Sequence, residues 1–151
     1  MERRALVELT DHTFVVADRH TVALGVAAGA ARGAWWPDVR LHAVDDAHGA
    51  VLRWRVEGAL RGTAELRLEG FNDGVVVHLH LRATCAVPRR RLPRGRERVE
   101  AEERRRRSVA WKRFVHVLKD VLEAGRAPGT PARTAGAVTA RRRGRTAVPN
   151  R

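Results

Sequence analysis

Three successive runs in the middle of the chain alternate apolar and polar residues with a period of two. In Val51–Glu57, Leu52, Trp54 and Val56 fall on one side, and Arg53, Arg55 and Glu57 on the other. In Thr63–Glu69 the apolar side is Ala64, Leu66 and Leu68; in Val75–Thr84 it is Val75, Val77, Leu79, Leu81 and Ala83. Alternation of this kind predicts antiparallel strands with one face buried and the other in water. Gly58–Gly62 and Asn72-Asp73 offer turn residues between the runs, so the pattern reads as two hairpins. The first pairs Leu52 with Leu68, Trp54 with Leu66 and Val56 with Ala64. The second pairs Leu68 with Val77, Leu66 with Leu79 and Ala64 with Leu81. A slip of one residue would turn each strand's apolar set to the wrong face.

The flanks are less regular. Residues 5–10 and 12–17 read as extended segments. Asp18 stands as an N-cap before RHTVALGVAAGAA, a helical stretch weakened by Gly25, Gly29 and Gly33. Pro37 keeps Trp36 out of helical geometry. Val39–Asp45 alternates as a strand and Asp46–Gly49 reads as a turn. Pro88–Gly95 is a loop rich in proline and arginine. From about Arg96 a helix runs to Ala124, ended by Gly125 with Pro128 beyond. Its apolar stripe is Ala110, Trp111, Phe114, Val117, Leu118, Val121 and Leu122, at helical spacing. Its first half, RERVEAEERRRR, is polar enough to project into solvent.

The chain has 151 residues, 44% of them apolar, which suits one domain with tails. No run is long enough for a membrane-spanning helix and the N-terminus lacks the apolar core of a secretory signal, so a cytoplasmic protein is expected. A single cysteine, Cys85, excludes an internal disulfide and a multi-cysteine metal site. The formal charge of +13 invites a polyanion partner, but it is unevenly spread. Residues 1–85 carry 10 basic and 11 acidic side chains, a net of −1; residues 86–107 carry 10 and 4, a net of +6; residues 126–151 carry 7 and none. Only Lys112 and Lys119 are lysine, an arginine bias that a GC-rich genome produces without selection for binding. The body is thus close to neutral, with a basic insert at 86–107 and a basic tail at 126–151 that reads as disordered. No nucleic-acid motif is recognisable and no tyrosine is available for stacking, which argues against nucleic acid as a partner.

The order of elements, a sheet followed by a long terminal helix, suggests a sheet that grips a helix. The segments WWPDVRL at 35–41, LRWRVEGALRGTAELRLEG at 52–70, VHLHLRA at 77–83 and WKRFVHVLKDVLEAGRAPG at 111–129 go further. Over roughly residues 10–129 the chain resembles a polyketide cyclase/dehydrase-like branch of the START-like (SRPBCC) superfamily found in actinobacteria. The resemblance implies an α+β helix-grip fold, a curved antiparallel sheet wrapped around a long C-terminal helix, with residues 1–125 forming the ligand-binding domain. It also implies an internal cavity for an apolar small molecule of polyketide, lipid or quinone character. Cyclase or dehydrase chemistry occurs in some members, but no shared catalytic set carries over to residues here, and no cofactor is implied.

The expected cavity lining is Trp35, Trp36, Trp54, Leu66, Leu68, Val77, Leu79, Leu81, Trp111, Phe114 and Leu118. The same side chains would serve equally as ordinary core, and the tryptophan pair could plug the end of that core rather than guard a mouth. His78 and His80 share a strand face. They read as a solvated pair, with His80 opposite Glu65 in a cross-strand salt bridge; a site role, a contact in a homodimer or a metal site with a third ligand are the other readings. Asp45-Asp46 reads as a turn, Asp38 as a group near the pocket entrance, and Asp120 as the partner of an unidentified arginine. The opposing hypothesis is an interaction protein whose basic insert and tail contact RNA, the ribosome or an anionic membrane.

Overall fold

The computed structural model describes residues 3–47, 50–91 and 95–124. The chain runs β1 (Arg4–Val15), α1 (Arg19–Ala31), β2 (Val39–Ala47), β3 (Val51–Gly58), β4 (Arg61–Phe71), β5 (Gly74–Ala86) and, after a single 3-10 turn at Arg89–Arg91, α2 (Gly95–Glu123). The five strands make one antiparallel sheet in the order β1-β5-β4-β3-β2. The basic tail at 126–151 and the turn residues 48–49 lie outside the described residues.

The alternation read from the sequence is the alternation of burial. Trp54, Val56, Ala64, Leu66, Leu68, Val75, Val77, Leu79, Leu81 and Ala83 are all buried in one core, and Arg53, Arg55, Arg67, Glu69, His80 and Arg82 face water. The β4–β5 register is the expected one, with Leu66 opposite Leu79 and Ala64 opposite Leu81. The β3–β4 register differs by two residues: Leu52 lies opposite Leu66, Trp54 opposite Ala64 and Val56 opposite Gly62. The connection is shorter than expected, only Ala59 and Leu60, and Gly58 takes the left-handed φ of 111° that lets the chain reverse there. Leu60, fully buried, closes that end of the core.

β1 is one strand where two were expected. It passes straight through Asp11, which sits on the buried face with Thr13. β2 continues past a bulge between Ala43 and Asp45, so Asp45 and Asp46 belong to the strand and not to a turn. α1 begins after Asp18, whose backbone carbonyl accepts from Val22 N at 3.1 Å and whose carboxylate accepts from the Thr21 hydroxyl.

The 29-residue α2 lies along β1. Arg104 Nε donates to Glu8 O at 3.2 Å, Lys112 Nζ lies 2.7 Å from Asp11 Oδ1, Lys119 Nζ donates to Phe14 O at 2.7 Å, and Val16 N donates to Glu123 Oε1 at 2.9 Å. The spacings agree: Arg104 to Glu123 rises about 28 Å at roughly 1.5 Å per residue, and Glu8 to Val16 spans about 26 Å at roughly 3.3 Å per residue. The inward face of α2 is Val99, Arg107, Trp111, Val115 and Leu122. Val117 and Val121, expected in the buried stripe, are more than half exposed, while Val115 is fully buried. The arginine-rich half does not simply project into solvent, because Val99 and Arg107 dock it on the body. No helix among the described residues is long and apolar enough to cross a membrane.

Candidate functional site

Trp35 stands at the centre of the space between sheet and helix. Its ring meets Trp54 of β3 at 4.9 Å between centroids, Trp111 of α2 at 4.8 Å and Trp36 at 5.9 Å, all edge-to-face, and Phe114 at 5.9 Å in a tilted contact. Such geometries are the favoured ones for aromatic quadrupoles. The expected lining residues therefore do come together: Trp35, Trp36, Trp54, Leu66, Leu68, Val77, Leu79, Leu81 and Trp111 are buried in one cluster, with Phe114 and Leu118 partly buried against it. They pack on one another, so both readings of the tryptophan pair meet here. The rings form core, and the same rings would form the wall of any space opened beside them.

Two of the indoles have firm hydrogen bonds. Trp36 Nε1 donates to Arg107 O and Trp111 Nε1 to Asp11 Oδ2, each at 3.0 Å. Trp35 Nε1 is fully buried and finds no acceptor among the described residues. A buried donor left unpaired costs about 1–3 kcal/mol.

Over this cluster lies the seam between α1 and α2. An ideal Cβ built at Gly25 would fall 2.6 Å from Leu118 Cδ1, and one at Gly29 would fall 2.4 Å from Phe114 Cε2 and Cζ and 3.0 Å from Trp35 Nε1. The two glycines, four apart, thus form a shallow trough that receives Phe114 and Leu118, also four apart on the facing helix. Val117 and Val121 continue the same flank of α2 out to solvent. A cleft of about 270 Å³ lined by Trp36, Pro37, Asp38, Arg106, Arg107 and Ala110 opens where Ala110 precedes Phe114 on that flank. A larger one of about 520 Å³, lined by Arg40, Arg55, Glu57, Arg61 and their neighbours, lies at the β2–β3–β4 end of the sheet.

Two charged clusters hold the frame. Asp11 accepts from Trp111 and from Thr13 Oγ1 at 3.1 Å, and pairs with Lys112. Burial pushes its carboxyl up, but the hydrogen bonds from Lys112 and Trp111 and the lysine's charge outweigh that and hold it below its ordinary value. Arg107, only 3% exposed, grips Asp38 with both terminal nitrogens, Nη2 to Oδ2 at 2.8 Å, and pairs with Glu103 at 3.1 Å. Arg107's hydrogen bonds keep the Asp38 carboxyl low against the opposing effect of burial. Asp38, expected near a pocket entrance, does line the small cleft, but as half of this pair. Neither Asp11 nor Arg107 was singled out from the sequence, since a lone Asp in an alternating strand and one Arg among four carry no distinguishing pattern. Asp120 is exposed and pairs with no arginine among the described residues.

On the outer face, Glu65 lies opposite His80 as expected, yet its carboxylate goes to Arg53 at 3.0 Å, because the permanently charged guanidinium across the other ladder is the stronger partner. His78 instead bonds Glu69 at 2.8 Å through Nε2 and meets His12 across β1, Nδ1 to Nδ1, at 2.6 Å. Among the described residues no group of three or more His, Cys, Asp or Glu side chains is placed to hold a metal.

No protein-family model and no curated protein matches the sequence. Solved structures match in fold. CalU16 from Micromonospora echinospora superposes with a TM-score of 0.53 at 16% identity, covering 84% of this chain and 87% of that one. DR_A0006 from Deinococcus radiodurans gives 0.52 at 10% identity, covering 79% and 98%. The Zhui aromatase/cyclase from Streptomyces sp. R1128 gives 0.49 at 16% identity, covering 80% and 98%. With a curved antiparallel sheet closed over one long C-terminal helix, the chain has the START-like helix-grip fold, the fold its resemblance to polyketide cyclase-like proteins implied.

Proposed function

We propose that the chain binds one flat, apolar small molecule of polyketide, lipid or quinone character between the sheet and α2, admitted along the α1–α2 seam. The observation that supports this most is the build of the seam. Behind it stand the indoles of Trp35, Trp54 and Trp111; over it lie the partly exposed side chains of Phe114 and Leu118, resting on two glycines. Swinging those two side chains outward uncovers an aromatic wall, with Leu66, Leu68, Val77, Leu79 and Leu81 beneath and Trp36 at the rim. A guest ring that replaces them gains roughly 25 cal/mol for each Å² of apolar surface it buries. Ring closure or water loss on such a guest would need a proton donor, and Asp11 is held ionised by Lys112. Binding is the activity proposed. An RNA, ribosome or membrane role would depend on the basic insert and the tail; in the insert Arg107 is buried in its pairs with Asp38 and Glu103, and the tail at 126–151 lies outside the described residues.

A reversible lock tests the route. An ideal Cβ at residue 25 lies 3.5 Å from Leu118 Cγ, close to the separation of about 3 Å that a disulfide sets between one Cβ and the far sulfur. In Gly25→Cys/Leu118→Cys protein, a panel of flat aromatic compounds followed by tryptophan quenching should bind one to one when reduced and lose binding when oxidised. Equal binding in both states refutes the seam as the route. No saturable binding of any compound to the wild-type protein refutes the function.

A further inference from the structure

We infer that the Trp35 indole N–H is the hydrogen-bond donor to the guest, so that the guest carries a neutral acceptor oxygen, a ketone or quinone carbonyl, on an otherwise apolar ring frame. This rests on the binding reading above and narrows it to a chemical class.

Of the four tryptophans whose indoles meet beneath the helices, Trp36 and Trp111 have their N–H groups committed at 3.0 Å, and Trp35 Nε1 is the fully buried indole nitrogen that has no acceptor among the described residues. The unpaired nitrogen also lies at the seam. The position that a Cβ on Gly29 would occupy is 3.0 Å from Trp35 Nε1 and 2.4 Å from the edge of the Phe114 ring. Trp35 Nε1 therefore borders the seam where α1 passes closest and the Phe114 ring ends. The neighbouring ring faces are weak acceptors and do not replace an oxygen. When Phe114 swings out, an oxygen on the incoming ring falls on the donor.

The charge of that oxygen follows from what surrounds it. An anionic group in this apolar setting would need a cation. Lys112 and Lys119 lie on the other flank of α2, engaged with Asp11, Glu123 and Phe14 O, and Arg107 is saturated by Asp38 and Glu103. A carboxylate or phosphate is disfavoured on this ground, and an ammonium would face a donor with a donor. A carbonyl fits both constraints. A site built around one buried donor rejects the analogue that lacks the matching acceptor.

The test uses two probes of one shape, 2-acetylnaphthalene and 2-isopropylnaphthalene, against wild-type and Trp35→Phe protein, with proton–nitrogen spectra of the indole groups. The Trp35 resonance is identified by cross-relaxation with both the Phe114 ring and the Gly29 α protons, beside which its Nε1 lies. The ketone is expected to bind the wild type about tenfold more tightly than the hydrocarbon, to shift the Trp35 indole proton downfield, and to lose its advantage in Trp35→Phe. Equal affinities with an unmoved Trp35 resonance overturn the donor role and leave the binding function standing. If neither probe binds, both fall together. Should Trp35→Phe not fold, the wild-type affinity ratio and resonance decide alone.

Discussion

Replacing Asp38 by alanine removes the partner of a guanidinium that is almost wholly enclosed. Arg107 is 3% exposed and Asp38 42%. Breaking a fully buried ion pair by deleting one member costs about 3–5 kcal/mol, because the remaining charge is stranded. Two features lower that figure here. Asp38 is open to solvent on one side, which screens the pair, and Glu103 stays within 3.1 Å of Arg107 Nε. A loss of about 2–3 kcal/mol remains. At about 2–4 °C per kcal/mol for a chain of this length, the melting midpoint should fall by about 5–10 °C. Urea titration measures the loss directly. The double variant Asp38→Ala/Arg107→Met removes the stranded charge and fills its space, so it should recover to within about 1 kcal/mol of wild type. A single variant within about 0.5 kcal/mol of wild type, or a double variant worse than the single, would refute the claim that a buried charge pair docks the arginine-rich half of α2.

Asp11 and Asp38 both have folded-state values below the ordinary carboxylate range. Their stabilising effect is therefore complete above the unfolded value of about 3.9 and disappears as pH falls through the lower folded values; Asp11→Asn should flatten the acid limb of a urea-midpoint profile, and an unchanged limb would argue against Asp11. Gly25→Ala and Gly29→Ala each gain about 1 kcal/mol of helix propensity but overlap Leu118 and Phe114. Because the Phe114 ring is braced by Trp35 and Trp111, Gly29→Ala should come out the less stable, by about 1–2 kcal/mol in urea; the reverse order would mean the seam is looser than the contacts indicate. Burial, helped by the charge of Glu103, raises the Cys85 thiol, so iodoacetamide should modify native protein at least about tenfold more slowly than unfolded protein by mass spectrometry.

The sheet was legible because period-two alternation survives every detail of the turns. That same robustness explains the β3–β4 register. Shifting the partner by two residues leaves Leu52, Trp54 and Val56 facing the same way, so alternation cannot separate Leu52–Leu68 from Leu52–Leu66; only the φ of Gly58 and the burial of Leu60 do. β1 looked broken because Asp11 occupies an inward position, and its compensation, Lys112 and Trp111, is a hundred residues away. In α2 the apolar stripe was drawn toward Val117 and Val121, while Arg107 and Val115 took the inward face, a choice set by Asp38 and by β1 rather than by hydrophobicity. The aromatic cluster was legible residue by residue, but whether its members enclose space or fill it depends on α1's approach, which two glycines fix at the level of ångströms.

The two flanks of α2 are held by different physics, and that difference gives the fold a direction in which to open. Toward β1 the helix is fastened at intervals by directional bonds, several of them charge-assisted, from Arg104 to Glu123. Toward α1 the contact is Phe114 and Leu118 lying on glycine, an apolar contact without directionality. A displacement that separates α2 from β1 must break one ion pair and several charge-assisted hydrogen bonds, whereas one that separates α1 from α2 breaks none of those. The α1–α2 seam is thus the side of α2 held by packing alone, with α1 itself kept in place by Val22, Val26 and Ala30 in the core and by its start at Asp18. Glycines that make residues 19–31 a poor helix by propensity are then what the position demands. Any larger residue would have to push Leu118 or Phe114 aside before the helix could close.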